Sequence, residues 1–146
     1  NVFSNCFNLR KVEIPTNSNL QKIGKNAFTY SIIKEIFIPS SVTKICEKAF
    51  YGCSHLNKVE IPKNSNLQTI EKSAFSCSKI EGIFIPSSVT KICEKAFIFC
   101  KNLLVVEISE ESKLLSIPKS AFEYCPKLII LIPLELEKMI QTINST

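Results

Sequence analysis

Glycine is scarce in this chain: Gly24, Gly52 and Gly82 are the only three in 146 residues. A loop that cradles a phosphate on successive backbone amides needs several glycines close together, so a nucleotide-binding loop is hard to build here. No G-x-x-x-x-G-K, G-x-S-x-G or H-E-x-x-H occurs. There is a single histidine, His55, near Cys53. A Cys–His nucleophile pair needs a third group to orient the base, and the sequence offers none, so His55 reads as a surface residue. The cysteine count of seven is odd and no C-x-x-C pair exists, which leaves a zinc framework without its usual spacing. No apolar run approaches the roughly 18 residues that a membrane-spanning helix needs; the most apolar stretch is Leu128–Leu134. There is one arginine, Arg10, and no Lys/Arg block. The net charge is +5, but the lysines alternate with glutamates, as in Glu47-Lys48, Glu71-Lys72 and Glu94-Lys95. That pattern is a solvated face rather than a nucleic-acid footprint. These absences leave no expected catalytic residue, metal, cofactor, nucleic-acid partner or membrane insertion.

What the chain does have is repetition. Ile36–Phe50 reads IFIPSSVTKICEKAF, and Ile83–Phe97 reads the same letter for letter. Ala-Phe recurs at Phe28, Phe50, Phe75, Phe97 and Phe122, with Val2-Phe3 as a degenerate first copy. The steps alternate at 25, 22, 25, 22 and 25 residues, so a long and a short coil make a higher-order unit of 47. A fixed period of this size indicates a solenoid, in which insertions land in loops and the stacked positions keep their register. The coils fall at about 2–26, 27–48, 49–73, 74–95, 96–120 and 121–133, in a single domain. The chain begins inside a repeat, at Asn1, and is expected to be a piece of a longer protein.

Within each coil three anchors recur. The first is apolar-x-Ile-Pro, as in Val12–Pro15, Ile36–Pro39, Val59–Pro62 and Ile83–Pro86, with Ser109 replacing the proline after Ile108. Alternation of β-branched residues predicts a short, half-buried strand, and proline ends it because it has no N–H for the ladder. One strand per coil predicts one parallel sheet. The second anchor is Leu/Val-x-x-Ile, at Leu20, Val42, Leu67, Val89 and Leu114. The third is Ala-Phe, expected on a single helical or 3₁₀ turn with the Phe pointing inward. After Pro133, Leu136, Met139, Ile140 and Ile143 fall at helical spacing, predicting an amphipathic helix over 134–146 that caps the core.

The consensus L-x-x-V/I-x-I-P…V-x-x-I-x-x-x-A-F-x-x-C resembles the leucine-rich repeat, in particular its BspA-like (Treponema-type) class. Leu9, Leu56 and Leu103 supply the leading Leu, and Cys6, Cys53, Cys100 and Cys125 the cysteine after Ala-Phe. Ile33 and Ile80 stand in for the leading Leu in the short coils, and Cys46 and Cys93 occupy a place where the family often has the glycine that Gly24 keeps. The resemblance implies a right-handed leucine-rich-repeat solenoid with its parallel sheet on the concave face. It also implies the family's role: surface-exposed or secreted adhesion and host interaction through protein binding.

Every cysteine sits at a repeat position: Cys46 and Cys93 before Ala-Phe, and Cys6, Cys53, Cys77, Cys100 and Cys125 after it. Cysteine behaves as a small hydrophobe, so these read as core filler with free, slow thiols. The middle residue of each strand points away from the core, which gives the column Glu13, Phe37, Glu60, Phe84, Glu107 and Leu131. Aromatics on a strand also reflect β-propensity. As an interaction surface, the stripe Glu13, Phe37, Glu60, Phe84 and Glu107 is the expected binding site for a protein partner, host-cell or matrix protein above all. An intracellular scaffold using the same face, or a spacer without its own ligand, are the other readings.

Overall fold

From Ile36 on, the apolar-x-Ile segments form strands because their Ile and Val side chains alternate between core and solvent, and each strand finds its partner one coil away; Val12–Ile14, also expected as a strand, does not form one. In the computed structural model, which describes residues 6–134 and 137, the strands are β1 (Lys22–Ile23), β2 (Glu35–Phe37), β3 (Lys44–Ile45), β4 (Lys58–Glu60), β5 (Thr69–Ile70), β6 (Gly82–Ile85), β7 (Lys91–Ile92), β8 (Val105–Ile108) and β9 (Ile129–Leu131). They build two sheets, not one. β2-β4-β6-β8-β9 is the expected parallel sheet, and β1-β3-β5-β7 is a second parallel ladder along the Leu/Val-x-x-Ile anchor. The second ladder is only two residues wide in each coil, too short to show a period of its own in the sequence. The architecture is a parallel β-solenoid of about five turns.

The third side is not helical. Asn26, Phe28 and Tyr30 donate their N–H groups to the carbonyls of Glu47, Ala49 and Tyr51 at 3.1, 2.7 and 2.9 Å. Between them, Ala27, Thr29 and Ser31 close tight turns on Gly24, Asn26 and Phe28. To alternate inter-coil and local bonds the backbone must turn within each such segment. It does so by left-handed conformations at Asn26 and Tyr30, then Lys48 and Gly52, Ser73 and Cys77, and Lys95 and Phe99. A non-glycine residue held there costs on the order of 1–2 kcal/mol, and at each of these positions except Lys95 the residue's own N–H makes an inter-coil hydrogen bond. Among the described residues only Lys119–Phe122 forms the expected 3₁₀ turn. The expected capping helix over 134–146, with Leu136, Met139, Ile140 and Ile143, falls outside the described residues apart from Leu134 and Glu137.

The core is a set of stacked columns. Phe28, Phe50, Phe75, Phe97 and Phe122 stack face to face, with centroids 5.0–5.2 Å apart and planes within 10°. Beside them run Ile33, Leu56, Ile80 and Leu103, all fully buried, so the isoleucines do replace the leading Leu. The cysteine column needs one correction. Its members are Ser31, Cys53, Ser78, Cys100 and Cys125, each three residues after the Phe, whereas Cys77 is one residue early and exposed. From Ser31 to Cys100 the column alternates Ser and Cys: Cys53 Sγ lies 3.5 Å from Ser31 Oγ and donates to the Phe28 carbonyl at 3.0 Å, and Cys100 repeats this with Ser78 and Phe75. All seven thiols are free. Burial pushes the Cys53 thiol up to about 11 and the Cys100 thiol up to about 12.

Candidate binding face

On the five-stranded sheet two rows of side chains face solvent. Register pairs Phe37 with Glu60, Phe84 with Glu107 and Glu107 with Leu131. Lys58 pairs with Gly82, which brings Glu60 opposite Phe84 two residues on. The stripe Phe37, Glu60, Phe84, Glu107 therefore forms one row across successive strands, with Glu13 on the coil before β2. Phe37 and Phe84 are half-buried and the three glutamates are exposed. A phenyl ring set among carboxylates keeps apolar area at the surface, and such area marks contact surfaces.

The second row was missed in the sequence reading, although the same period-two parity identifies it. It runs Glu35, Lys58, Gly82, Val105, Ile129 in register, with Lys11 on the preceding coil. Lys11 pairs with Glu13 and Lys58 with Glu60, the latter at 3.4 Å. The Lys11 ammonium, hydrogen-bonded to Glu13, holds that carboxyl below its usual range. The two rows divide the sheet. Its first strands carry paired charges, whereas beyond Gly82 the second row turns apolar at Val105 and Ile129, and Ile129 is 60% and Leu131 51% exposed. A shallow cleft of about 380 Å³ lies at the charged end, against Glu13, Glu35, Phe37, Lys58 and Glu60. Another of about 390 Å³ lies at the opposite end, against Glu107, Glu110 and Leu131.

The left-handed turns carry their own exposed aromatics. Phe7 stacks on Tyr30, Tyr30 meets Tyr51 edge-on, and Phe99 stacks on Tyr124 at 4.6 Å. Gly52 is required between Tyr30 and Tyr51: its φ is +66°, and a Cβ there would come within 2.5 Å of the Tyr30 ring. His55 is exposed and bonded to Ser54 at 3.0 Å. Among the described residues no three His, Cys, Asp or Glu side chains converge to hold a metal ion, and no helix is long and apolar enough to cross a membrane.

A strand, a two-residue second strand up to β7 and an Ala-Phe turn recur from coil to coil, and the BspA type leucine-rich repeat region matches residues 1–129 in six copies. The chain belongs to the BspA-type leucine-rich repeat family. Repeats of this kind serve in general as protein-interaction modules. Among solved structures, the chain is similar to a leucine-rich cell surface protein of Faecalibacterium prausnitzii, at 28% identity and a TM-score of 0.71, over 83% of this chain and 31% of that one. It is similar to the pneumococcal vaccine antigen PcpA at 26% identity and a TM-score of 0.67, over 88% of this chain and 40% of that one. The leucine-rich repeat protein of T. pallidum gives 26% identity and a TM-score of 0.55, over 79% of this chain and 64% of that one. The chain thus spans about a third of the first of these proteins and two fifths of the second. No curated protein matches it significantly.

Proposed function

We propose that the chain is a non-enzymatic protein-binding module of a surface or secreted adhesin, and that its working face is the five-stranded sheet. Glu13, Phe37, Glu60, Phe84 and Glu107 would make the contacts. The observation that carries this reading is the row itself: two half-exposed phenyl rings, two strands apart, in line with carboxylates on the strands beside them. Parallel strands lie about 4.8 Å apart, so the rings stand about 10 Å from one another. That spacing suits an extended protein segment presenting apolar anchors with basic residues between them. The surface location draws support from the relatives described as a cell surface protein and a vaccine antigen. The seven free thiols favour a second reading, an intracellular scaffold using the same face.

The test compares Phe37→Ser combined with Phe84→Ser against Lys22→Ser combined with Lys48→Ser, each measured for binding to adsorbed extracellular-matrix proteins. Loss of binding in the Phe pair alone supports the strand face. Loss in the Lys pair alone places the working surface on another side and overturns the assignment.

A further inference from the structure

The two copies of the 15-residue repeat are identical in sequence, but the next coil does not offer them the same partner. In the first copy, Lys44 Nζ lies 3.2 Å from one oxygen of Glu71, and the other oxygen accepts the Glu47 N–H at 2.8 Å. The Glu71 N–H in turn donates to the Ile45 carbonyl at 2.9 Å. Glu71 therefore fills the gap between two coils and holds them in register. In the second copy, 47 residues on, the counterparts are Lys91, Glu94 and Ile92, and the counterpart of Glu71 is Pro118.

Proline supplies neither the carboxylate nor the N–H. The effects extend along the ladder. Gln68 and Thr69 donate to the Thr43 carbonyl at 2.8 and 3.3 Å, but Leu115 and Ser116 make no such bonds to Thr90. The four-stranded sheet stops at β7. Among the described residues, Lys91 has no ion pair and the Glu94 N–H no hydrogen-bond partner. A cleft of about 510 Å³ opens there, the largest of those described. Lys72, Lys91 and Lys119 line it with Thr90 and Ser116, and among the described residues Glu94 is the one acidic residue in the lining.

We propose that this cleft is a carboxylate-binding site, and that its occupant is an acidic side chain of a partner protein seated where Glu71 sits one unit earlier. Lys91 and Glu94 line the cleft and hold the same places in the repeat as Lys44 and Glu47, the two residues that bind Glu71. Three ammonium groups against one carboxylate give the cleft the charge complementarity the occupant needs. The cleft lies on the second sheet, so it stands or falls independently of the strand face.

Nuclear magnetic resonance titration of the whole chain tests this. The probe is the acetylated, amidated tetrapeptide of residues 69–72, the segment that carries the native carboxylate. The control is the same peptide with glutamine in place of the glutamate. At millimolar concentration the glutamate peptide is expected to shift the Glu94 amide and the Lys91 signals. Binding should weaken about tenfold or more with the glutamine peptide and with Lys91→Met, because a charge-assisted bond is lost in each. Pro118→Glu should abolish binding by filling the cleft from within. If that variant does not fold, Lys91→Met, which removes an exposed charge only, still decides. Equal binding of the two peptides, or shifts confined to residues away from the cleft, overturns the proposal. Inorganic phosphate forms the second arm. If it perturbs the same residues with equal affinity, the cleft is a general anion site and the carboxylate assignment is wrong.

Discussion

The rings of Phe50 and Phe75 stack with centroids 5.1 Å apart and planes 6° from parallel, both fully buried. The spacing is that of the coils themselves, so each ring caps the one below without any shift in register. Phe75 sits at the middle of the column and has a ring on each face. Phe75→Ala should therefore destabilise by roughly 3–5 kcal/mol. Phe122 ends the described column and is half-buried, so Phe122→Ala should cost less. Chemical denaturation of both variants checks the order; a smaller loss at Phe75 than at Phe122 would mean that the column is not the central support.

Thiol reactivity should follow position in the coil rather than position in the sequence. Cys77 is exposed on a left-handed turn, Cys46 and Cys93 are half-buried, and Cys53 and Cys100 are buried. Alkylation of the native protein, followed by mass mapping, is expected to find Cys77 first. Cys53 and Cys100 should react only after unfolding.

The same burial makes stability depend on pH above neutrality. In the folded chain the Cys53 and Cys100 thiols are held up at about 11 and 12, against an ordinary thiol value of about 8.5. The unfolded chain therefore releases these protons first as pH rises. The stabilisation is complete below the ordinary value and is lost as pH climbs toward the folded values. Melting temperature should fall between about pH 9 and 11. It should fall less in Cys53→Ser combined with Cys100→Ser than in the parent; equal slopes would rule out these thiols as the source.

Left-handed backbone at Lys95, with φ of 59°, suits glycine better than lysine. Lys95→Gly is expected to be neutral or to stabilise by up to about 1 kcal/mol. Lys91→Gly, in strand β7, should destabilise. Thermal melts of the two variants should move in opposite directions, or at least separate by about that amount.

Much of this architecture is legible in the sequence, because a repeat states its rules several times over. The 47-residue unit, the strands ahead of Pro39, Pro62 and Pro86 and the Phe column all follow from spacing; the strand expected ahead of Pro15 does not form. The turns on the third side were harder to read. Left-handed residues are usually announced by glycine, yet here Asn26, Tyr30, Lys48, Ser73, Cys77, Lys95 and Phe99 take that conformation, and only Gly52 gives the ordinary signal. The inter-coil hydrogen bonds impose the geometry, and no local propensity records them. Cys77 misled for a related reason: it stands one place before the buried column, and Ser78 holds the column position. On the binding face, the Phe and Glu row was visible from alternation. The neighbouring row from Glu35 to Ile129 became visible only once strand register was fixed.

Pro118 also sets how the solenoid comes apart. Coils joined by three ladders share their loads, and in a linear array the seam with the fewest bonds opens first. The seam beyond β7 keeps the β8–β9 pairing and the bonds from Phe97 and Phe99 to the next coil, but it lacks the second ladder. Fraying should begin there and run outward to the last coil, leaving the coils from β1 to β7 as one cooperative block. Amide hydrogen exchange would read this as a step in protection, high on Ile70 and low on Ile117, although the two residues occupy the same place in their coils.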